Sequence, residues 1–225
     1  MNIVYGLLTG SGRTEQAREI IKAWHDVRIS VWLYTWDEHD LKTLGPLCDH
    51  VLFGPMDSFV INHNRLAREL DWDIYICGAN DLYPGTNPFL RENLLDLYES
   101  YPDKSYFIND GWQNRIPSHP IVPRQWWLNR DKVILDEQYE HNFVDDDFLA
   151  EGRVKGDIIR CTDICLDHRQ FTRMGQPADF IAQKGQESFE RDRARFEMKW
   201  NPKPDNPYPT VSLGSLHSDY IVRKV

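Results

Sequence analysis

The stretch Asp73-Ile74-Tyr75-Ile76-Cys77-Gly78-Ala79-Asn80-Asp81 decides the fold. From Asp73 to Cys77 it reads as a buried strand, because its apolar residues run on without a polar residue at every second position. It then exits through Gly78 and Ala79 into Asn80-Asp81, which puts an amide and a carboxylate at a strand tip. The same pattern opens the chain. Ile3 to Leu8 is a short apolar run leading into Thr9-Gly10-Ser11-Gly12-Arg13, and Ala17, Ile20, Ile21 and Trp24 follow at helical spacing. Thr14 stands where it can N-cap that helix. Ile29 to Tyr34 is a further strand, ending in Thr35-Trp36-Asp37-Glu38, and Val51-Leu52-Phe53 is a weak one closed by Gly54-Pro55. Helices are expected over Ser58 to Leu70 and Pro88 to Tyr98, with a strand over Ser105 to Ile108. Strands alternating with helices through short loops predict an α/β fold with a mostly parallel central sheet. Ligands bind such sheets at the carboxyl ends of the strands. The polar clusters fall there: Thr9 to Arg13, Thr35 to Glu38, Gly78 to Asp81 and Asn109 to Trp112, with Asp110 among them.

Outside this core the pattern changes. Ile116 to Arg124 holds three prolines, and Trp126-Trp127 stands beside it. His141 to Leu149 opens a helix with Asp145, Asp146 and Asp147 at its positive end. Val154 to Cys165 returns as β structure and reaches Asp167-His168. Glu187 to Trp200 is a charged amphipathic helix, and the proline-bearing tail beyond Asn201 is irregular. Residues 1–182 are read as one catalytic domain, and 183–225 as a helix and tail packed on it.

With 41% hydrophobic residues and only 13 Gly and 13 Pro among 225, the chain is a folded globule and not a fibre, rod or disordered tail. No apolar run approaches the roughly 18 residues a membrane span needs, and Met1-Asn2-Ile3 lacks a basic leader, so a cytoplasmic location is expected. A formal net charge of −9 excludes bulk attraction to polyanions. Cys48, Cys77, Cys161 and Cys165 form no Cys-x-x-Cys pair, and Cys161, Cys165 and His168 are too few for structural zinc, so reduced thiols are expected.

Gly10-Ser11-Gly12-Arg13 suits a phosphate at a helix start. It lacks the Gly-Lys-Ser/Thr of a Walker loop and does not complete Gly-x-Gly-x-x-Gly, which disfavours a P-loop kinase and a Rossmann dehydrogenase. Asp81 is suited to a hard cation such as Mg²⁺ or Mn²⁺, which takes one or two carboxylates and completes its shell with phosphates and water. In the acidic run, apolar neighbours on both sides argue that at least one acid is pinned against the core, as a general base requires.

In order, Asn62-His63-Asn64, Ile76 to Asp81, His119 to Arg124, Val144 to Phe148 and Arg195 to Trp200 resemble the inverting, family-two nucleotide-sugar glycosyltransferases of the GT-A fold. The resemblance implies that Asp81 binds the metal on the diphosphate and His168 is a second ligand. It implies that Asp145 or Asp146 is the base, and that Thr9, Gly10, Ser11, Arg13, Asp37, Asn64, Asn80, Asp110, Trp112 and Arg124 form the substrate site. Ala79 stands where the family carries the first acid of Asp-x-Asp. The implied donor is a UDP-sugar, with glucose the first choice. The acceptor is a hydroxymethylated pyrimidine in DNA, as in similar bacteriophage enzymes, or a saccharide or other small acceptor. Lys184, Arg191, Arg193, Arg195, Lys199 and Lys203 are the candidate phosphate contacts for the DNA alternative. Trp112, Trp126 and Trp127 are candidates to stack on a flipped base or sugar, or to fill the core. A nucleotidyltransferase shares the architecture but should carry a lysine near the first loop, where none stands.

Overall fold

The computed structural model describes residues 1–10, 12–69, 71–111, 115–170, 174–175, 183, 185–201 and 209–211. Ser11, Trp112, Lys184 and Lys203 lie outside the described residues. The strands are β1 (Ile3–Thr9), β2 (Ser30–Thr35), β3 (His50–Phe53), β4 (Ile74–Cys77), β5 (Leu82–Tyr83), β6 (Ser105–Asn109), β7 (Ile121–Pro123), β8 (Ile158–Cys165), β9 (Asp167–His168) and β10 (Thr210–Val211). The helices are α1 (Thr14–Asp26), α2 (Glu38–Leu44), α3 (Phe59–Glu69), α4 (Leu90–Ser100), α5 (Arg124–Leu128), α6 (Val144–Lys155) and α7 (Phe189–Lys199).

One eight-stranded sheet runs in the order β10-β8-β6-β7-β4-β1-β2-β3. Every pairing in it is parallel except those of β7, which runs antiparallel to both β4 and β6. All seven residues of β1 are buried, as a strand covered on both faces requires. Its side chains alternate between two cores. Ile3, Tyr5 and Leu7 join α1 and α4, while Val4 and Leu8 join α3, α5 and α6. Tyr5 stacks on Trp24 of α1 with ring centroids 4.2 Å apart. Trp126 and Trp127 are buried and belong to the second core. The pair β5–β9 forms a separate antiparallel ribbon, registering Leu82 with His168 and so carrying that histidine to the tip of β4.

Several details differ from the sequence reading. α6 continues through Val154 and Lys155, where a strand is expected, until Gly156 stops it at φ 64°, a left-handed conformation that glycine takes without strain. The Thr14 hydroxyl does not cap α1. It donates instead to Asp40 Oδ1 at 2.5 Å. The short elements α2, β5, β7, α5 and β10 have too few residues to show a period. Among the described residues, no helix is long and apolar enough to cross a membrane.

Candidate functional site

The parallel strands end at a cleft of about 650 Å³, a volume ordinary for a small-molecule site. Thr9, Gly10 and Arg13 enter it from β1 and the turn into α1, Asn80, Asp81 and Ala79 from the tip of β4. Its opposite wall comes from Tyr139 to His141 and from Asp145 at the start of α6. The indole of Trp36 lies over Gly10 so closely that a Cβ there would come within 2.2 Å of it. Any side chain at position 10 would displace the tryptophan.

A buried frame fixes the β4 tip. The Tyr5 hydroxyl accepts from Ala79 N–H at 2.9 Å and also bonds the Ala79 and Leu82 carbonyls. Beneath it, His63 Nε2 donates to the Gly78 carbonyl at 3.0 Å and Nδ1 accepts from the Tyr75 hydroxyl at 3.0 Å. Complete burial lowers the His63 pKa to about 3, so the ring is neutral and this pattern is fixed. Backbone geometry thus aims Asn80 and Asp81 at the cleft. Asn80 Oδ1 accepts from the Arg13 guanidinium at 2.8 Å.

His168 Nε2 lies 3.6 Å from Asp81 Oδ2, and its Nδ1 lies 3.2 Å from Asp110 Oδ2. Burial works against charge on this ring, yet the two carboxylates outweigh it and raise the pKa to about 9. Burial likewise pushes Asp81 up, but His168, His119 and Arg13 hold its carboxyl below the usual range. His119 packs edge-on against His168 with centroids 4.5 Å apart. Burial first, then the charge of His168, lowers its pKa to about 4. Asp81 and His168 can hold one divalent cation once the metal displaces the proton from His168 Nε2, because an imidazole oriented by a carboxylate on its far nitrogen is the usual arrangement at a metal. Ala79 contributes no ligand.

At the start of α6 the three acids diverge. Asp145 faces the cleft, and burial followed by the adjacent Asp146 raises its pKa to about 6. Asp146 does not line the cleft; its backbone N–H donates to Asp145 Oδ1 at 3.0 Å. Asp147 points into the core, accepting from Tyr139 Oη at 3.1 Å and Trp200 Nε1 at 2.6 Å.

The remaining expected residues are placed elsewhere. Asp37 is the N-cap of α2, accepting from the N–H groups of His39 and Asp40, because the chain turns into a helix directly after β2. Asn64 is fully buried and spends its amide on the Ile134 and Leu135 backbone and on Glu137. Asp110 stands behind His168 instead of lining the cleft. Arg124 pairs with Asp71 at the opposite end of the sheet, since β7 runs antiparallel and carries its C-terminal end away from the cleft. On α7, Arg191 pairs with Glu140, Arg193 with Glu197 and Arg195 with Asp192. Asp136, Asp147 and Glu151 form an acidic triad of metal-site dimensions, and the Lys199 ammonium sits within 3.0 Å of each.

In the sequence, Asn62, His63 and His119 fall within the resembling stretches but carry no assigned role, and Tyr5 is not singled out. Four buried polar atoms lining the cleft have no hydrogen-bond partner among the described residues: Thr9 Oγ1, Asn62 Oδ1, Asn80 Nδ2 and His119 Nε2. An unpaired buried polar group costs about 1–3 kcal/mol, so a polar ligand that satisfies several at once gains accordingly.

No protein-family profile and no curated sequence matches the chain. Solved structures do. A mannosyltransferase of Pyrobaculum calidifontis, in complex with GDP-Man and Mn²⁺, superposes with a TM-score of 0.63 over 90% of this chain at 7% identity. TarS of S. aureus superposes with a TM-score of 0.56 over 74% of this chain at 9% identity. The fold is of the GT-A type. CMP:2-keto-3-deoxy-manno-octonic acid synthetase complexed with CTP shares the α/β architecture, with a TM-score of 0.50 over 88% of this chain at 12% identity. This chain spans 66% of the mannosyltransferase, 36% of TarS and 100% of the synthetase. At such identities the likeness is one of fold. The mostly parallel central sheet flanked by helices is what this chain has in common with a GT-A domain.

Proposed function

We propose that the protein is a metal-dependent, inverting glycosyltransferase that moves a sugar from a nucleoside diphosphate donor, UDP-glucose being the first candidate, to an acceptor hydroxyl. One observation carries the reading: four residues with a buried polar atom that has no partner among the described residues line a strand-end cleft with Asp81, His168 and Asp145. Asp81 and His168 would hold Mn²⁺ or Mg²⁺, which offsets negative charge on the departing diphosphate. Arg13, braced on Asn80, stands at the start of α1, where a helix end favours anionic groups. Asp145 takes the acceptor proton as the acceptor oxygen bonds the anomeric carbon and the bond to the diphosphate breaks. A carboxyl with a pKa of about 6 is suited to that task near neutrality. Displacement from the face opposite the diphosphate inverts the anomeric centre.

The acceptor in this reading is a neutral hydroxyl compound such as a saccharide. Arg191, Arg193, Arg195 and Lys199 are already ion-paired, and Asp57, Glu137, Glu140 and Asp145 line the cleft, which does not suit the DNA alternative. The test is single-turnover transfer from labelled UDP-glucose and GDP-mannose with Mn²⁺ to a saccharide panel and to hydroxymethylated DNA. Transfer to neither acceptor class, with pyrophosphate released from CTP, would favour the nucleotidyltransferase alternative suggested by the synthetase-like architecture.

A further inference from the structure

We infer that His119, together with Asn80, forms a hydroxyl-reading subsite that engages the sugar of the donor and not its phosphates. The inference rests on the glycosyltransferase reading above. His119 is 7% exposed, and its Nδ1 lies 3.0 Å from the Cys77 carbonyl. A carbonyl only accepts, so Nδ1 carries the proton and Nε2 presents a lone pair. That Nε2 is buried and has no partner among the described residues, and it belongs to a residue that lines the cleft. Asn80 is 2% exposed and is oriented by the same logic. A guanidinium only donates, so the oxygen of Asn80 faces Arg13 and Nδ2 is left as an unpartnered donor.

Both groups are held at the tip of β4: Cys77, which ends the strand, anchors His119 from the segment before β7, and Asn80 lies in the turn that follows β4. One needs an incoming donor and the other an incoming acceptor. A hydroxyl, or two neighbouring hydroxyls on a ring, meets both needs. An ionised phosphate oxygen meets only that of Asn80, because it has no proton to give His119. Asp81 and His168 occupy the same end of the cleft, so a diphosphate held there brings a hydroxyl-bearing ring on either side of it, the ribose or the transferred sugar. His119 is assigned to the transferred sugar, and comparing sugar nucleotide with free diphosphate separates the two.

Calorimetric titration with UDP-glucose, GDP-mannose, UDP and GDP, each with Mn²⁺, tests this in the wild type, His119→Phe and His119→Gln. Phenylalanine keeps a ring against His168 but offers no acceptor. Glutamine restores an acceptor oxygen and carries the comparison if the phenylalanine variant does not fold. The expected result is a tenfold or larger loss of affinity of His119→Phe for the sugar nucleotide that wild type binds best. Its UDP and GDP affinities stay within twofold, and His119→Gln recovers part of the loss. Equal losses for sugar nucleotide and diphosphate would make His119 a ribose contact or a support of the metal loop and overturn the inference, as would no loss at all. If wild type binds the diphosphates but gains nothing from the sugar, the subsite is refuted while a nucleotide site stands. If wild type binds none of the nucleotides, the glycosyltransferase reading fails and the subsite with it.

Discussion

Replacing Asp145 with asparagine should destroy transfer and yet stabilise the fold. Burial raises this carboxyl from the ordinary value of 3.8 to about 6, with Asp146 adding to the effect. A raised carboxylate pKa means that the native state binds the proton more tightly than the unfolded chain does. Ionisation therefore costs stability, fully above the native value of about 6, and the cost vanishes as pH falls below the unfolded value. Two pH units correspond to about 3 kcal/mol. Asparagine carries no charge, so Asp145→Asn should gain up to about 3 kcal/mol at pH 8, or roughly 6–12 °C in melting temperature for a domain of this size. The gain should fade towards pH 4. General-base removal costs about 10²–10⁴ in rate. Wild-type transfer should also fall about tenfold per pH unit below pH 6, as the base takes up a proton. Thermal melts from pH 4 to 8 with single-turnover transfer in parallel measure both effects. An Asn variant that transfers at the wild-type rate, or melts lower than wild type at pH 8, refutes the assignment of Asp145 as a strained base.

Asp81→Ala should abolish the strengthening of UDP binding by Mn²⁺, read by calorimetry with and without the metal; retained metal dependence places the cation elsewhere. Mn²⁺ should bind more tightly than Mg²⁺, because one of the two ligands proposed, His168, is an imidazole, and competition titration decides it. Arg13→Ala should weaken UDP binding at least tenfold with little change in melting temperature, whereas an equal loss of fold would make Arg13 structural. Asp192→Ala should lower stability by about 2–4 kcal/mol in denaturant titration, since its carboxylate accepts from the N–H groups of Glu140, His141 and Asn142 and from the Ser188 hydroxyl; a loss below about 1 kcal/mol would show those bonds to be unimportant.

The sheet was legible because β1, β2 and β4 are buried on both faces, and such strands stand out as unbroken apolar runs. β7 was not legible. Its ladder spans only Ile121 to Pro123 among closely spaced prolines, and reversal of a three-residue strand leaves no periodic trace. That reversal is also why Arg124 was read to the cleft and lies at the far end of the sheet. Asp81 could be singled out because it ends an apolar strand, and the run Asp145 to Asp147 because apolar residues stand on both sides of it, but which of the three acids faces the cleft could not be read. Asn64 and Asp37 carry the same polar chemistry, but backbone groups remote in sequence, or the start of α2, engage them. His119 opens one of the resembling stretches but received no role from the sequence, because its significance lies in which nitrogen the Cys77 carbonyl takes, a fact of tertiary structure.

The C-terminal helix is tied to the cleft at both of its ends, which gives its charges an architectural role. The Asp192 carboxylate is fully buried and accepts from the backbone N–H groups of Glu140, His141 and Asn142 and from the Ser188 hydroxyl. Three successive N–H groups converging on one carboxylate hold that turn as a bound anion would. At the other end, Lys199 bridges Asp136, Asp147 and Glu151, and Trp200 donates to Asp147. The segment from Asp136 to Asp147 is thus clamped at both ends by α7, and between the clamps it supplies Tyr139, Glu140, His141 and Asp145 to the cleft wall. Phe143 enters α6 at φ 60°, an uncommon conformation for a bulky residue, and its ring packs against Phe189 and Phe196 of α7. Strain at that position persists only when the surroundings fix it. The position of Asp145, two residues further on, therefore depends on α7 although no α7 side chain need touch a substrate.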